Sequence, residues 1–292
     1  MPETLERRIR AEVARSGVTR DVVEKDYAVS HVLAAIYDHE LLRERLIFKG
    51  GTALRKAHFA GYRFSEDLDF TDTTGDEDLE ALMREVAEGA RRTLAQQGAF
   101  SASVARYRTR DPHPGGQEAF RIHVRFPWQP RPLCSLKVEI TTDEPVVAEV
   151  VRLPLLHGYD EGLQCVLSCY ALEEVVAEKL RALLQTRARL AERGWARPRS
   201  RDYYDLWQLL CVREGSVDAA KVARILPAKC GVRGVTFAAA EDFFDDGLLR
   251  RARLEWQGNL TRMVPDPPEF DECLQDLRAP VGALVESALA GG

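Results

Sequence analysis

Three segments of the chain alternate apolar and polar residues with a period of two, and this pattern limits the possible fold more than any other feature. The segments span residues 101–108, 120–126 and 136–142. Successive side chains of a strand point to opposite faces of a sheet, so the alternation predicts strands with one covered face. Two shorter strands are predicted at residues 46–48 and 68–71.

Apolar residues at helical spacing mark most of the remaining chain. The predicted helices span residues 4–15, 21–45, 52–59, 76–97, 171–193, 201–213, 218–226 and most of 236–290. A turn-rich segment, 111–116, separates the first two alternating strands. We therefore predict an α+β fold, in which residues 1–160 form a domain with a small mixed sheet and N-terminal helices, and residues 161–292 form a helical domain.

Charge is distributed unevenly along the chain. The net charge of −5 argues against indiscriminate nucleic-acid binding, yet residues 180–201 hold seven arginines and a single acid, Glu192. Two interpretations are open, a solvated face or a face that follows a phosphate backbone. The candidates for phosphate contact are Arg187, Arg189, Arg193, Arg197, Arg199 and Arg201.

The sequence carries no signal for export or membrane insertion. The first ten residues lack an apolar run behind their charges, and nowhere are eighteen consecutive residues apolar. The six cysteines include no Cys-x-x-Cys pair and lie mostly in apolar stretches, as free thiols do in a reducing compartment. We expect a cytoplasmic protein that does not enter membranes.

Two carboxylates, Asp67 and Asp69, lie two residues apart at the strand predicted for 68–71, and therefore point to the same side. Converging carboxylates are unfavourable unless a cation neutralises them. Mg²⁺, or alternatively Mn²⁺, prefers such oxygen ligands and shares them with substrate phosphates. The pair therefore predicts metal-dependent phosphoryl transfer.

Gly50, Gly51 and Thr52 follow the first short strand and begin a helix. Glycines allow the backbone to approach a phosphate closely, and the first amides of a helix donate to anions. Taken alone, the motif is more simply a tight strand-to-helix turn. Its spacing from Asp67 and Asp69 favours a nucleotide phosphate site.

Glu139 and Lys179 each allow two interpretations. Glu139 shares a strand face with Lys137. It is either a third metal ligand or the base for an attacking hydroxyl, or else half of an exposed ion pair. Lys179 borders the apolar stripe of a predicted helix, so its ammonium either extends into water or reaches a triphosphate.

Asp202 and Asp205 are three residues apart and share one face of the helix predicted for 201–213. They are either partners of the helix dipole or residues of the site, where Asp202 orients the substrate or the lysine.

In this order, the motifs resemble the AbiEii/AbiGii-type toxin family of nucleotidyltransferases, which is related to MenT-like toxins. The resemblance begins at Glu24-Lys25-Asp26-Tyr27 and includes the Gly-Gly-Thr and Asp-x-Asp motifs. It continues through Glu139 and the lysine motif at Lys179, and closes at Arg201-Asp202-Tyr203-Tyr204-Asp205-Leu206. It covers roughly two thirds of the chain.

The resemblance implies a polymerase-β-like nucleotidyltransferase domain followed by a helical domain. It implies Mg²⁺-dependent transfer of a nucleoside monophosphate from an NTP to the 3′ end of tRNA, which blocks translation. The implied nucleotide is a pyrimidine, as in some studied relatives.

The resemblance also implies roles for individual residues and a protein partner. Catalysis would rest on Asp67, Asp69, Glu139, Lys179 and Asp202, nucleotide binding on Gly50, Gly51, Thr52, Ser65, Lys179 and Asp205, and RNA binding on the six arginines. A cognate antitoxin is the expected partner. Ser65 lies where a relative's serine is phosphorylated by its antitoxin, and a phosphate there would repel a triphosphate. The alternatives are nucleotidylation of a protein or small-molecule hydroxyl, or a catalytically silent binding partner.

Overall fold

A computed structural model describes residues 4–74, 78–108, 116–159 and 162–291 of the chain. The chain forms two compact units. The first comprises Met1–Glu144 and Val150–Cys169, and the second comprises Pro145–Glu149 and Tyr170–Gly292. Of the turn predicted at 111–116, all but Gly116 lies outside the described residues, as do the first two residues of the helix predicted at 76–97.

The first unit contains a seven-stranded sheet of mixed direction. Its strands are β1 (Leu46–Lys49), β2 (Asp67–Asp72), β3 (Ser101–Arg106), β4 (Gln117–Arg125), β5 (Cys134–Thr141), β6 (Val151–Pro154) and β7 (Val166–Cys169). They lie in the order β3-β4-β5-β2-β1-β7-β6. β2 is central, because it pairs antiparallel with β1 and parallel with β5. The mixed sheet together with the helices agrees with the predicted α+β class.

Helices of the first unit cover this sheet. They are α1 (Leu5–Ser16), α2 (Arg20–Asp38), α3 (Glu40–Arg45), α4 (Gly50–Ala53) and α5 (Leu79–Ala95). α2 is buried along nearly its whole length, which explains why its apolar stripe is wide. α4 continues directly into a π-helical turn, Leu54–His58, where an ordinary helix was predicted.

Two strands were not predicted from the sequence. β6 and β7 pair antiparallel with each other, and β7 pairs parallel with β1. Each has only four residues, too few for a period of two to stand out from the surrounding loop. The sheet therefore extends past residue 160, where the sequence predicted the helical half to begin.

The second unit is helical in its described part. Its helices are α6 (Leu172–Arg193), α7 (Ser200–Trp207), α8 (Ala219–Val232), α9 (Asp246–Leu254), α10 (Trp256–Leu260) and α11 (Phe270–Ala290). Within the described ranges, no helix is long and apolar enough to cross a membrane.

A fully buried ion pair joins α6 and α8, with Glu174 Oε1 2.8 Å from Lys229 Nζ. The Glu174 carboxylate also accepts the backbone N–H groups of Val147 and Ala148, and Lys229 donates to the carbonyl of Pro145 at 2.9 Å. The pair therefore fixes the short segment Pro145–Glu149 to the helices of this unit.

Candidate active site

The strand β2 presents two carboxylates on one face of the sheet. Leu68 and Phe70 are fully buried on the opposite face, whereas Asp67 and Asp69 are half-buried. The register places Asp69 between Lys49 of β1 and Glu139 of β5. Because alternate residues of a strand share a face, and paired residues of neighbouring strands do too, three acids lie on one face of the sheet: Asp67, Asp69 and Glu139.

Gly50 lies against the carboxylate of Asp69. Its φ of +79° is in the left-handed region, which side chains rarely adopt. A Cβ added at this position would lie 2.5 Å from Asp69 Oδ2, a separation that no real contact allows. The absence of a side chain therefore lets Asp69 lie directly on the backbone at the start of α4.

Gly51 lies under an arginine and a serine. A Cβ at Gly51 would come within 2.6 Å of Arg63 Nη2 and 3.2 Å of Ser65 Oγ. Arg63 is buried, and one of its nitrogens, Nη1, donates to the carbonyl of Phe64 at 3.1 Å. Arg63 was not predicted as a site residue. The available signal was an arginine two residues before Ser65 in the same motif.

Thr52 is fully buried, and its hydroxyl donates to the backbone carbonyl of Asp67 at 2.5 Å. This bond fixes the start of β2 relative to α4. The side chain of Thr52 therefore positions the aspartate strand, whereas the sequence placed its hydroxyl among the triphosphate contacts.

Glu139 accepts two hydrogen bonds, from Tyr107 Oη at 2.9 Å and from Gln117 Nε2 at 2.8 Å. Burial and the bond to Glu139 raise the pKa of the Tyr107 phenol well above its usual value, so it remains a donor. Lys137 pairs with Asp67, at 3.7 Å, and not with Glu139. Glu139 is thus an oriented carboxylate beside Asp69, and the interpretation as an exposed Lys137–Glu139 pair does not describe it.

Asp67 and Asp69 are the side chains of this face that could hold a magnesium ion. Within the described parts of the chain, no three Asp, Glu, His or Cys side chains are arranged as a complete metal site. Mg²⁺ does not need one, because it is commonly held by one or two carboxylates and completes its shell with water and substrate phosphates. Asp67 and Asp69 would supply those carboxylates, on the strand face where Asp69 lies against the backbone of Gly50.

In the second unit, Lys179 lies between two aspartates. Its Nζ is 2.8 Å from Asp202 Oδ1 and 2.7 Å from Asp205 Oδ2, and Asp205 is fully buried. Arg199 Nη1 adds a contact of 3.2 Å to Asp202. The ammonium is thus held in place by α7, and it does not simply extend into water.

The pKa of Asp202 is set by two opposing effects. Burial disfavours its charged form, but the charges of Lys179 and Arg199 outweigh burial and hold the pKa of Asp202 below its usual value. A lowered pKa in the folded state stabilises the protein above the unfolded-state pKa, and this stabilisation is lost as the pH falls through the folded-state value.

We expect wild type to be more stable than Asp202→Asn at pH 7, and the difference to shrink as the pH falls below about 4. Urea unfolding of both proteins across this range measures the difference. A stability difference that stays constant with pH would contradict a lowered pKa of Asp202.

The six arginines of the basic stretch differ in their surroundings. Arg187 is ion-paired with Asp242, and Arg199 donates to Thr186 Oγ1 at 2.8 Å as well as to Asp202. Arg189 and Arg201 are half-buried, whereas Arg193 and Arg197 are exposed. Two of the six therefore hold the second unit together. Arg193 and Arg197 are exposed, although Arg193 also lies 3.5 Å from the carboxylate of Glu192.

Comparison with known families shows which protein family carries these motifs. The family model described as nucleotidyl transferase AbiEii toxin, Type IV TA system, matches residues 31–276, more than four-fifths of the chain. The chain belongs to the AbiEii family. No curated protein sequence matches it.

Membership of AbiEii establishes the coarse function, a nucleotidyltransferase toxin of a toxin–antitoxin system, with an NTP as substrate and an antitoxin as partner. The matched region includes Gly50 to Asp205, and so covers every proposed site residue. The Glu24-Lys25-Asp26-Tyr27 segment lies just before it.

Proposed function

We propose that this AbiEii protein transfers a nucleoside monophosphate, from a pyrimidine NTP, to the 3′ end of tRNA in a Mg²⁺-dependent reaction that blocks translation. We further propose that the first unit, which contains the sheet, is a polymerase-β-like domain and that the second unit is the helical domain expected after it. The observation that carries the proposal is Asp69 lying on the side-chain-free backbone of Gly50, beside Asp67 on the same strand face.

The chemistry is an in-line displacement. The RNA hydroxyl forms a bond to the α-phosphorus, the bond from that phosphorus to the bridging oxygen of the β-phosphate breaks, and pyrophosphate leaves. Asp67 and Asp69 would hold Mg²⁺, which supplies charge neutralisation for the attacking and leaving oxygens. Glu139, oriented by Tyr107 and Gln117, accepts the proton of the hydroxyl.

The remaining roles concern the triphosphate and the RNA. The backbone N–H groups of Gly51 and Thr52, the Ser65 hydroxyl and the Arg63 guanidinium bind phosphate oxygens. The family resemblance assigns Lys179 to the triphosphate, and within the second unit Asp202 and Asp205 hold its ammonium. The RNA backbone is followed by the basic stretch, principally through Arg193 and Arg197, with Arg187, Arg189, Arg199 and Arg201 beside them.

The test is incubation of purified protein with total tRNA, Mg²⁺ and each radiolabelled NTP in turn. We expect label at RNA 3′ ends with a pyrimidine nucleotide. Label on protein or on small molecules, without label on RNA, would refute tRNA as the acceptor. No label anywhere, with and without the antitoxin, would favour a silent binding partner.

Charge reversal separates an RNA acceptor from a small one. Arg193→Glu with Arg197→Glu is expected to reduce transfer to tRNA by roughly tenfold or more at moderate salt, because phosphate contacts contribute strongly to nucleic-acid affinity. The matched control is Arg224→Glu with Arg250→Glu, which makes the same charge change at exposed positions of α8 and α9. Equal activity of the two double variants would remove the basic stretch from the proposal.

A further inference from the structure

A polar cavity of about 320 Å³ lies in the first unit among α1, α2, the π-helical turn and the loop after β6. Its volume is in the range of sites that bind small molecules. Its charged lining residues are Glu12, Arg15, Asp26, Arg55 and Lys56. The nucleotide site described above uses none of them.

Asp26 is shared by two cations at the wall of this cavity. Arg55 Nε lies 2.6 Å from Asp26 Oδ1, and Lys56 Nζ lies 2.9 Å from Asp26 Oδ2. The exposed fractions of the Arg55, Lys56 and Asp26 side chains are 12%, 2% and 4%. Two cations and one carboxylate leave one positive charge in excess, and an excess charge away from water is unfavourable without a counter-ion.

The neighbouring acid at the cavity wall, Glu12, is already paired with another cation. Glu12 makes two contacts with Arg15, at 2.7 Å to Nε and 2.6 Å to Nη2. This bidentate pair is neutral by itself. Among the described lining residues, the positive charge at Arg55 and Lys56 therefore exceeds the negative charge.

Lys56 has donors to offer to a ligand. Within the described residues its ammonium makes one ion pair, to Asp26, although an ammonium carries further N–H donors. Burial lowers the pKa of Lys56, the charge of Asp26 opposes this, and the charge of Arg55 adds to the lowering. An anion in the cavity would use the remaining donors and offset the repulsion between the two cations.

The rest of the lining consists of the imidazole of His157, two glycines, and apolar or aromatic side chains. Leu155, Leu156, Ala60 and the ring of Tyr159 form the apolar part of the wall. Leu156 is fixed there because its N–H donates to the carbonyl of Lys56 at 2.7 Å. The cavity therefore combines a cationic end with a surface suited to an apolar group.

We propose that this cavity binds a small organic anion, with its phosphate or carboxylate group at Lys56 and Arg55 and its apolar part against Leu155, Leu156 and Tyr159. The proposal does not depend on nucleotidyl transfer, because the ligand is neither the NTP nor the acceptor.

Calorimetric titration with three probes tests the proposal: phenyl phosphate, inorganic phosphate and phenol. We expect phenyl phosphate to bind more tightly than phosphate, and phenol to bind least. In Lys56→Met the dissociation constant for phenyl phosphate should rise by about tenfold or more, because a charge-assisted hydrogen bond is lost. Arg15→Gln, at the solvent-exposed rim, should also weaken binding, because it leaves the negative charge of Glu12 uncompensated at the wall.

Two further variants locate the bound anion. Arg92→Gln makes the same charge change at another cavity and should leave binding unchanged. Arg63→Gln, beside Gly51 in the proposed active site, should also leave it unchanged. The proposal is overturned if no probe binds wild type, if phenol binds as well as phenyl phosphate, or if Arg63→Gln abolishes binding while Lys56→Met and Arg15→Gln retain it.

Discussion

Replacing Asp69 with asparagine is expected to reduce nucleotidyl transfer by roughly 10³-fold, while the protein remains folded. Asp69 is one of the two carboxylates proposed to hold Mg²⁺, and an amide cannot supply the same charge. Its side chain is half-buried at the edge of a bare backbone, and asparagine has nearly the same shape. The loss should therefore appear in catalysis and not in stability, measured as the rate of label incorporation beside a urea unfolding curve.

Glu66→Gln provides the matched control. Glu66 precedes Asp69 by three residues, is likewise half-buried, and pairs with Lys25 Nζ at 3.1 Å. The substitution makes the same charge change next to the site, and we expect it to alter transfer by much less than Asp69→Asn. Equal losses in the two variants would point to a general effect of charge, and full activity of Asp69→Asn would remove this residue from the metal site.

Replacing Lys229 with methionine is expected to lower the free energy of unfolding by roughly 3–5 kcal/mol. Lys229 and Glu174 are both fully buried, and removal of the ammonium leaves a carboxylate in a medium that solvates it poorly. The carbonyl of Pro145 also loses its donor. Urea unfolding measures the loss, which should appear without a change in the proposed catalytic residues.

Two variants test the cause of this loss. Lys221→Met removes an exposed lysine of the same helix and should change the stability by less than about 0.5 kcal/mol. Adding Glu174→Gln to Lys229→Met removes the unpaired charge but keeps an acceptor for the N–H groups of Val147 and Ala148, and should recover part of the stability. Equal stability of Lys229→Met and Lys221→Met would refute the buried-charge explanation.

The sequence predicted those parts of the fold whose periodicity is long enough to recognise. β4 and β5 have nine and eight residues, and each buries alternate side chains, so that both a strand and its covered face could be predicted. The same parity placed Asp67 and Asp69 on one face. β6 and β7 are too short for such a periodicity to be recognised. Val166 in β7 is also exposed although it is apolar.

The surroundings of the site residues could not be predicted in the same way. The pairing of Arg187 with Asp242 joins residues 55 positions apart, and no local pattern encodes it. The bonds from Tyr107 and Gln117 to Glu139 depend on sheet register and on the position of Tyr107 just after β3. A short motif therefore indicates which chemistry is present, whereas long-range contacts decide which cations and acids remain available for it.

The course of the chain between the two units limits how this protein can be divided. After β5 the chain enters the second unit at Pro145–Glu149, returns to the sheet for β6 and β7, and leaves it again at Tyr170. A cut after Cys169 would therefore separate Pro145–Glu149 from the Glu174–Lys229 pair that binds this segment. A single crossover after Cys169 would therefore exchange the helices of the second unit without the Pro145–Glu149 segment that belongs with them.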